Sequence, residues 1–189
     1  MKMVTKKIGL LLFLLVGSFV QMQAQTFAVN SNLLLLSTQT YNLGAEITVG
    51  NHTTLGLSVF GNNKPYFHKD MRTIGVQPEF KYYFGGRPMY HHYVGIGLLA
   101  ADYSITWGNR KYDGTAWGGG MTFGYVISLS KRWNLDFHGG VGAIFSHHRE
   151  FMANGDDLLL DDNSQAKDGF WEYRILPTKI GITLSYTIW

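Results

Sequence analysis

Pro177-Thr178-Lys179-Ile180-Gly181-Ile182-Thr183-Leu184-Ser185-Tyr186-Thr187-Ile188-Trp189 is the stretch whose reading decides the fold. From Lys179 on, Ile180, Ile182, Leu184, Tyr186 and Ile188 fall on one face of an extended chain, while Gly181, Thr183, Ser185 and Thr187 fall on the other. A period of two is that of a β-strand with one apolar and one polar side. As the last strand it must pair with strands already made. Pairing with the first would close the sheet into a barrel and remove its edges.

The same period recurs upstream. Residues 26–37 read as a first strand carrying Leu33 to Leu36, residues 42–49 as a second and 53–60 as a third. The clearest is 73–84, where Ile74, Val76, Pro78, Phe80, Tyr82 and Phe84 oppose Thr73, Gly75, Gln77, Glu79, Lys81 and Tyr83. Pro78 marks a local irregularity, because proline has no N–H for the ladder. Residues 90–105 form the fifth strand, whose alternation slips at Leu98-Leu99 and suggests a bulge. Strands over 115–129 and 133–145 complete a set of eight, with no convincing helical period after Val20.

Connections at 50–52, 85–89 and 130–132 are short, and those at 61–70, 108–114 and 152–169 are long. Short turns at one end and long loops at the other are the layout of an outer-membrane barrel, with the short ones periplasmic. Aromatics are expected in two belts at lipid headgroup height. Tyr82, Phe84, Tyr90, Tyr93, Trp133, Tyr186 and Trp189 lie toward the short turns, and Tyr103, Trp107, Trp117, Phe145, Trp171 and Tyr173 toward the long loops. The fold class expected is all-β, an eight-stranded antiparallel up-and-down transmembrane β-barrel. The alternative is a soluble, lipocalin-like periplasmic binding barrel with its apolar residues facing inward.

Residues 1–24 read as a secretory signal peptide: basic at Lys2, Lys6 and Lys7, apolar over 8–20, and cut after Ala24. The apolar run is too short to cross a bilayer as a helix. Residues 25–189 are then one barrel domain. The net charge of +3 lies wholly in the leader, since 13 basic residues balance 13 acidic ones beyond it. The pI of 9.0 therefore gives no argument for a nucleic-acid partner. Absence of cysteine rules out both a disulfide framework and lipoprotein processing at the cut.

Lys179, Gly181, Leu184 and Tyr186 resemble the polar-x-Gly-x-x-apolar-x-apolar signal read by the barrel assembly machinery of Gram-negative bacteria. More widely, Asn32-Leu33-Leu34, Asn42-Leu43-Gly44-x-Glu46, Val76 to Tyr83, Lys131-Arg132-Trp133-Asn134-Leu135 and Pro177-Thr178-Lys179 are similar to a domain-of-unknown-function family of small outer-membrane β-barrels from Bacteroidota-type bacteria. The resemblance implies an eight-stranded barrel with no established catalysis, some of whose members accompany fimbria-like surface genes. Many relatives carry cysteines in the last long loop, and this chain has none.

Gly95-x-Gly97-x-x-Ala100 mimics a dinucleotide fingerprint but lies within a strand and opens no helix. His91-His92 and His147-His148 are adjacent pairs, so each pair splits across the wall and cannot chelate one metal from one side. Ser146, His147 and Glu150 invite comparison with outer-membrane lipid hydrolases, the enzymatic alternative, but neighbours in a strand do not face each other. Residues 154–164 carry four carboxylates without calcium-hand spacing, which reads as a solvated acidic loop.

The residues expected to matter most share the polar face: Glu46, Gln77, Glu79, Lys81, Asp136 and His138, a structural charge network filling a narrow lumen. The chain is thus expected to be non-enzymatic, without metal or cofactor. Its expected place is the outer membrane, with lipid, lipopolysaccharide, the assembly machinery and a surface or fimbrial protein as partners.

Overall fold

The computed structural model describes residues 26–65, 71–107, 110–152 and 172–188. Residues 1–24, read from sequence as a leader, the acidic stretch 154–164 and Trp189 lie outside the described residues. Eight strands run β1 (Phe27–Asn32), β2 (Tyr41–Thr48), β3 (Thr53–Asn63), β4 (Met71–Tyr83), β5 (His91–Trp107), β6 (Arg110–Ser128), β7 (Trp133–Met152) and β8 (Glu172–Ile188). Each pairs antiparallel with the next, and β8 returns to β1 to close the barrel. The closing ladder runs from Phe27 opposite Ile188 to Asn32 opposite Thr183.

Alternation sets the direction of every side chain. Leu43, Leu57, Ile74, Ile96, Leu98, Phe123, Val141 and Ile180 are exposed on the outer wall. Glu46, Glu79, Lys81, Thr122, Asp136 and His138 are buried inside it. Buried apolar side chains among the described residues are Ala28, Pro65, Tyr83, Met89, Tyr93 and Val126, so charged and polar groups dominate the interior. This polarity is the reverse of that expected for the lipocalin-like alternative, which needs its apolar face inward.

Several local readings change. The first strand stops at Asn32, and Leu33–Ser37 is a short helix, α1. Asn32 decides this: its Oδ1 accepts from the backbone N–H of Leu34 and Leu35, an N-cap. Its Nδ2 donates to the Ile180 carbonyl at 3.2 Å, where β8 continues beyond the end of β1. Asn42 returns the clamp, donating its Nδ2 to the Asn32 carbonyl at 2.9 Å. Helix α1 thus packs against β8 and occupies the seam left by the short β1.

Leu98-Leu99 is not a bulge, since β5 keeps one register against β6 throughout. The irregularity lies opposite, where the β4–β5 ladder skips Gln77 and Pro78, as a proline in mid-strand requires. The bulge itself falls on β8: Gly140 faces Lys179 and Val141 faces Pro177, leaving Thr178 as the extra residue. Of the expected loop 108–114, residues 110–114 belong to β6, and 108–109 lie outside the described residues. A polar ladder above the apolar zone needs no hydrophobic alternation, so sequence polarity there resembled a loop.

The belts are also redrawn. Tyr82, Phe84 and Trp133 are exposed on the outer wall near the short turns. Trp117 and Phe145 stack outside at 4.8 Å near the other end. Tyr93 instead sits opposite Tyr83 and is only 2% exposed, inside the barrel. Tyr103, on the same face of β5, faces Thr73 inward. Trp171 and Trp189 lie outside the described residues, as do the side chains of Trp107 and Tyr173.

Gly181 faces the Asn32 amide so closely that an added Cβ would fall on it. Gly181→Ala is expected to destabilise the refolded barrel by about 1–3 kcal/mol through overpacking, and Asn32→Ala by about 0.5–2 kcal/mol through loss of the cap. Because both act on one contact, the double variant should lose less than the sum in denaturant titration. Strict additivity would show that the two residues act apart.

Candidate functional site: the luminal charge network

Lys81, on β4, lies at the centre of the lower lumen. Its Nζ is 2.8 Å from Glu46 Oε2 on β2, 3.6 Å from Asp136 Oδ2 on β7 and 3.8 Å from Glu79 Oε2 on its own strand. The ammonium also stands 4.8 Å from the centre of the Tyr93 ring. Glu46 Oε1 accepts from Thr54 Oγ1 at 2.6 Å and from the Tyr83 hydroxyl at 2.7 Å. The Tyr93 hydroxyl donates to Asp136 at 3.0 Å. Lys179 Nζ donates to Glu79 Oε2 at 2.6 Å. These are short, charge-assisted bonds in a water-poor interior, where each is stronger than its exposed counterpart.

Local structure makes the room. Gly95 lies opposite Lys81 and Gly97 opposite Glu79, so the apparent dinucleotide fingerprint is a pair of inward glycines beside the network. A Cβ on Gly95 would come within 3.1 Å of Glu79 Oε1. Gly124 lies opposite Tyr93, and a Cβ there would enter the tyrosine ring. Small residues across the ladder therefore allow long side chains to lie flat across the lumen.

Glu46, Glu79, Lys81 and Asp136 are brought together as one buried cluster, with His138 beside it. The His138 Nδ1 is 3.7 Å from Asp136, too long for a hydrogen bond, and neither ring nitrogen has a partner among the described residues. Gln77 stands apart from the charges; its Nε2 donates to the Thr178 carbonyl at 3.1 Å and fastens the bulge of β8. Lys179, read from sequence only as part of an assembly signal, is luminal, and Gly181 faces Asn32. Tyr186 lies with Trp133 at a ring distance of 4.9 Å and accepts from Arg132 Nη1 at 3.0 Å. Leu184 pairs with Leu135 on the same outer face.

Thr54, Tyr83, Tyr93 and Lys179 complete the network and were not foreseen in that role. Tyr83 already stood on the polar face of its strand, and Thr54 alternates with the apolar Leu55 and Leu57 of its own, which was a usable signal. Placing Tyr93 needs the cross-strand register.

A cavity beside the network, bordered by Asn30, Asn42, Ser58, Gln77, His138 and Thr183, admits water centres over about 40 Å³. That is room for about three waters. Among the described residues no group of three or more His, Asp or Glu is placed to hold a metal ion. Ser146 and His147 are consecutive on β7 and so point to opposite sides of the wall. The side chains of His148 and Glu150 lie outside the described residues.

The family model described as Protein of unknown function (DUF3575) matches residues 10–188. The chain belongs to this family. No curated protein and no solved structure matches it.

In this DUF3575 barrel the two luminal glutamates are not equivalent. Glu46→Ala strands Lys81, whose side chain is 6% exposed, together with Thr54 and Tyr83. Removing one partner of such a buried cluster costs about 3–5 kcal/mol. Glu79→Ala strands chiefly Lys179, which is 20% exposed and can turn to water. Denaturant titration of the refolded barrel should therefore show the larger loss for Glu46→Ala. Adding Lys81→Met to Glu46→Ala should recover part of it, and a further loss would contradict the electrostatic origin of the effect.

Proposed function

We propose that the chain is a non-enzymatic outer-membrane protein of a Bacteroidota-type Gram-negative cell, a closed barrel with a structural or surface-interaction role. The observation that carries this reading is the inverted polarity: large apolar residues cover the outer wall while carboxylates and ammonium groups are buried within. Lipid is the solvent that suits such a wall. Strands β3 to β8, of 11 to 20 residues, are long enough for a tilted crossing. The six-residue β1 and the eight-residue β2 are shorter, and Leu33, Leu34 and Leu36 of α1 extend the apolar exterior beside them.

In this reading residues 1–24 direct export, the short turns face the periplasm, and phospholipid and lipopolysaccharide surround the wall. The barrel assembly machinery reads Lys179, Gly181, Leu184 and Tyr186 on β8. The long-loop end meets a surface protein, such as one of a fimbria-like structure. Burial of Lys81 among three carboxylates supports a plugged lumen over a pore, and the opposed directions of Ser146 and His147 support a role other than hydrolysis.

Two measurements test it together. The mature chain should remain with membranes after alkaline carbonate extraction and show heat-modifiable gel mobility. Reconstituted in planar bilayers, it should give no steady conductance. Recovery as a soluble periplasmic protein would remove the membrane assignment, and stable ohmic channels would reassign the barrel as a small porin.

A further inference from the structure

The charges of the chain are sorted by height along the barrel. Of the 13 basic and 13 acidic residues beyond position 24, the short-turn end carries Arg87, Lys131 and Arg132 and no acidic residue. The lumen holds Lys81 and Lys179 with Glu46, Glu79 and Asp136. At the opposite end the described residues carry charges of both signs, among them Lys64, Arg72 and Arg174 with Asp102 and Asp113. Among the described residues the short-turn rim is thus purely basic, while the other end mixes both signs.

The two arginines of the basic rim are braced on aromatic rings. Arg87 lies 4.4 Å from the Tyr90 ring centre, and Tyr90 stacks on His91 at 3.7 Å. Arg132 donates to the Tyr186 hydroxyl, and Tyr186 packs edge-on against the exposed Trp133. Lys131 is exposed in the same turn as Arg132. Fixed cations just beyond a band of Tyr and Trp suit the height of lipid phosphates, and among the described residues no acidic side chain of their own end stands beside them.

We propose that this rim is a docking collar for anionic phospholipid headgroups, with Arg87, Lys131 and Arg132 taking the phosphates. The inference rests on the membrane reading above and deepens it, because it assigns the short-turn end to the phospholipid leaflet.

The test uses the mature chain refolded into vesicles of phosphatidylcholine with an equal part of phosphatidylglycerol, and into phosphatidylcholine alone. Heat-shifted mobility reports insertion, and spin-labelled lipids report which headgroup the barrel retains. Wild type should insert in both and prefer phosphatidylglycerol roughly fivefold or more, a preference that falls as salt is raised. R87Q/K131Q, which leaves the Arg132–Tyr186 bond intact, should lose most of that preference, while R72Q at the other rim should keep it. Insertion with no preference, or a preference unchanged in R87Q/K131Q, would overturn the collar and leave the membrane reading standing. Failure to insert in either vesicle would overturn both.

Discussion

The ammonium of Lys81 is the point on which the interior depends. A buried cation is tolerable only when carboxylates and hydrogen-bonding groups surround it, and here these come from three strands: Glu46 on β2, Glu79 on β4 and Asp136 on β7. Tyr83 and Thr54 fill the remaining capacity of Glu46, and Tyr93 holds Asp136. A one-residue slip of any of these strands would turn its charges toward the outer wall. The cluster is therefore a register lock as well as a filling, and the glycines at 95, 97 and 124 are its geometric complement.

Much of this was legible because a strand has only two faces. Alternation in β4 placed Glu79, Lys81 and Tyr83 together, and the same rule in β2 and β7 supplied Glu46, Asp136 and His138. Tyr93 was misread because Tyr and Trp near a strand end suit a lipid interface as well as an interior; its pairing with Tyr83 resolves the choice, and register is not written in one strand. Residues 110–114 were misread because a strand end beyond the apolar zone needs no alternation of polar and apolar residues. Leu33–Ser37 was misread because four leucines carry no period. It takes the carboxamide of Asn32, reaching two amides of the next turn and one carbonyl of β8, to bend them into a helix.

That carboxamide also explains how a wall with a short first strand stays sealed. Above Thr183, β8 has no strand partner on the β1 side. A bare ladder edge within an apolar zone would leave backbone groups unsatisfied. Asn32 answers the Ile180 carbonyl, Asn42 answers the carbonyls of Asn32 and Thr40, and α1 satisfies its own turn through Thr38, Gln39 and Thr40. Gly181 keeps the space in which this happens. A residue that fits an assembly signal by pattern therefore has a local steric reason of its own.

The six-rung closing ladder has a consequence for how the molecule comes into being. Seven of the eight strand pairings join neighbours in sequence, so each closes a comparatively small loop and can form soon after its strands are in place. The eighth brings together the two ends of the barrel and carries the full entropic cost of cyclising the sheet, with the shortest strand as its reward. Of the eight pairings, β1 with β8 therefore carries the largest loop-closure cost, for six rungs. Until that ladder forms, β1 and β8 both present free edges, so closure is also what removes the last exposed backbone donors and acceptors of the sheet.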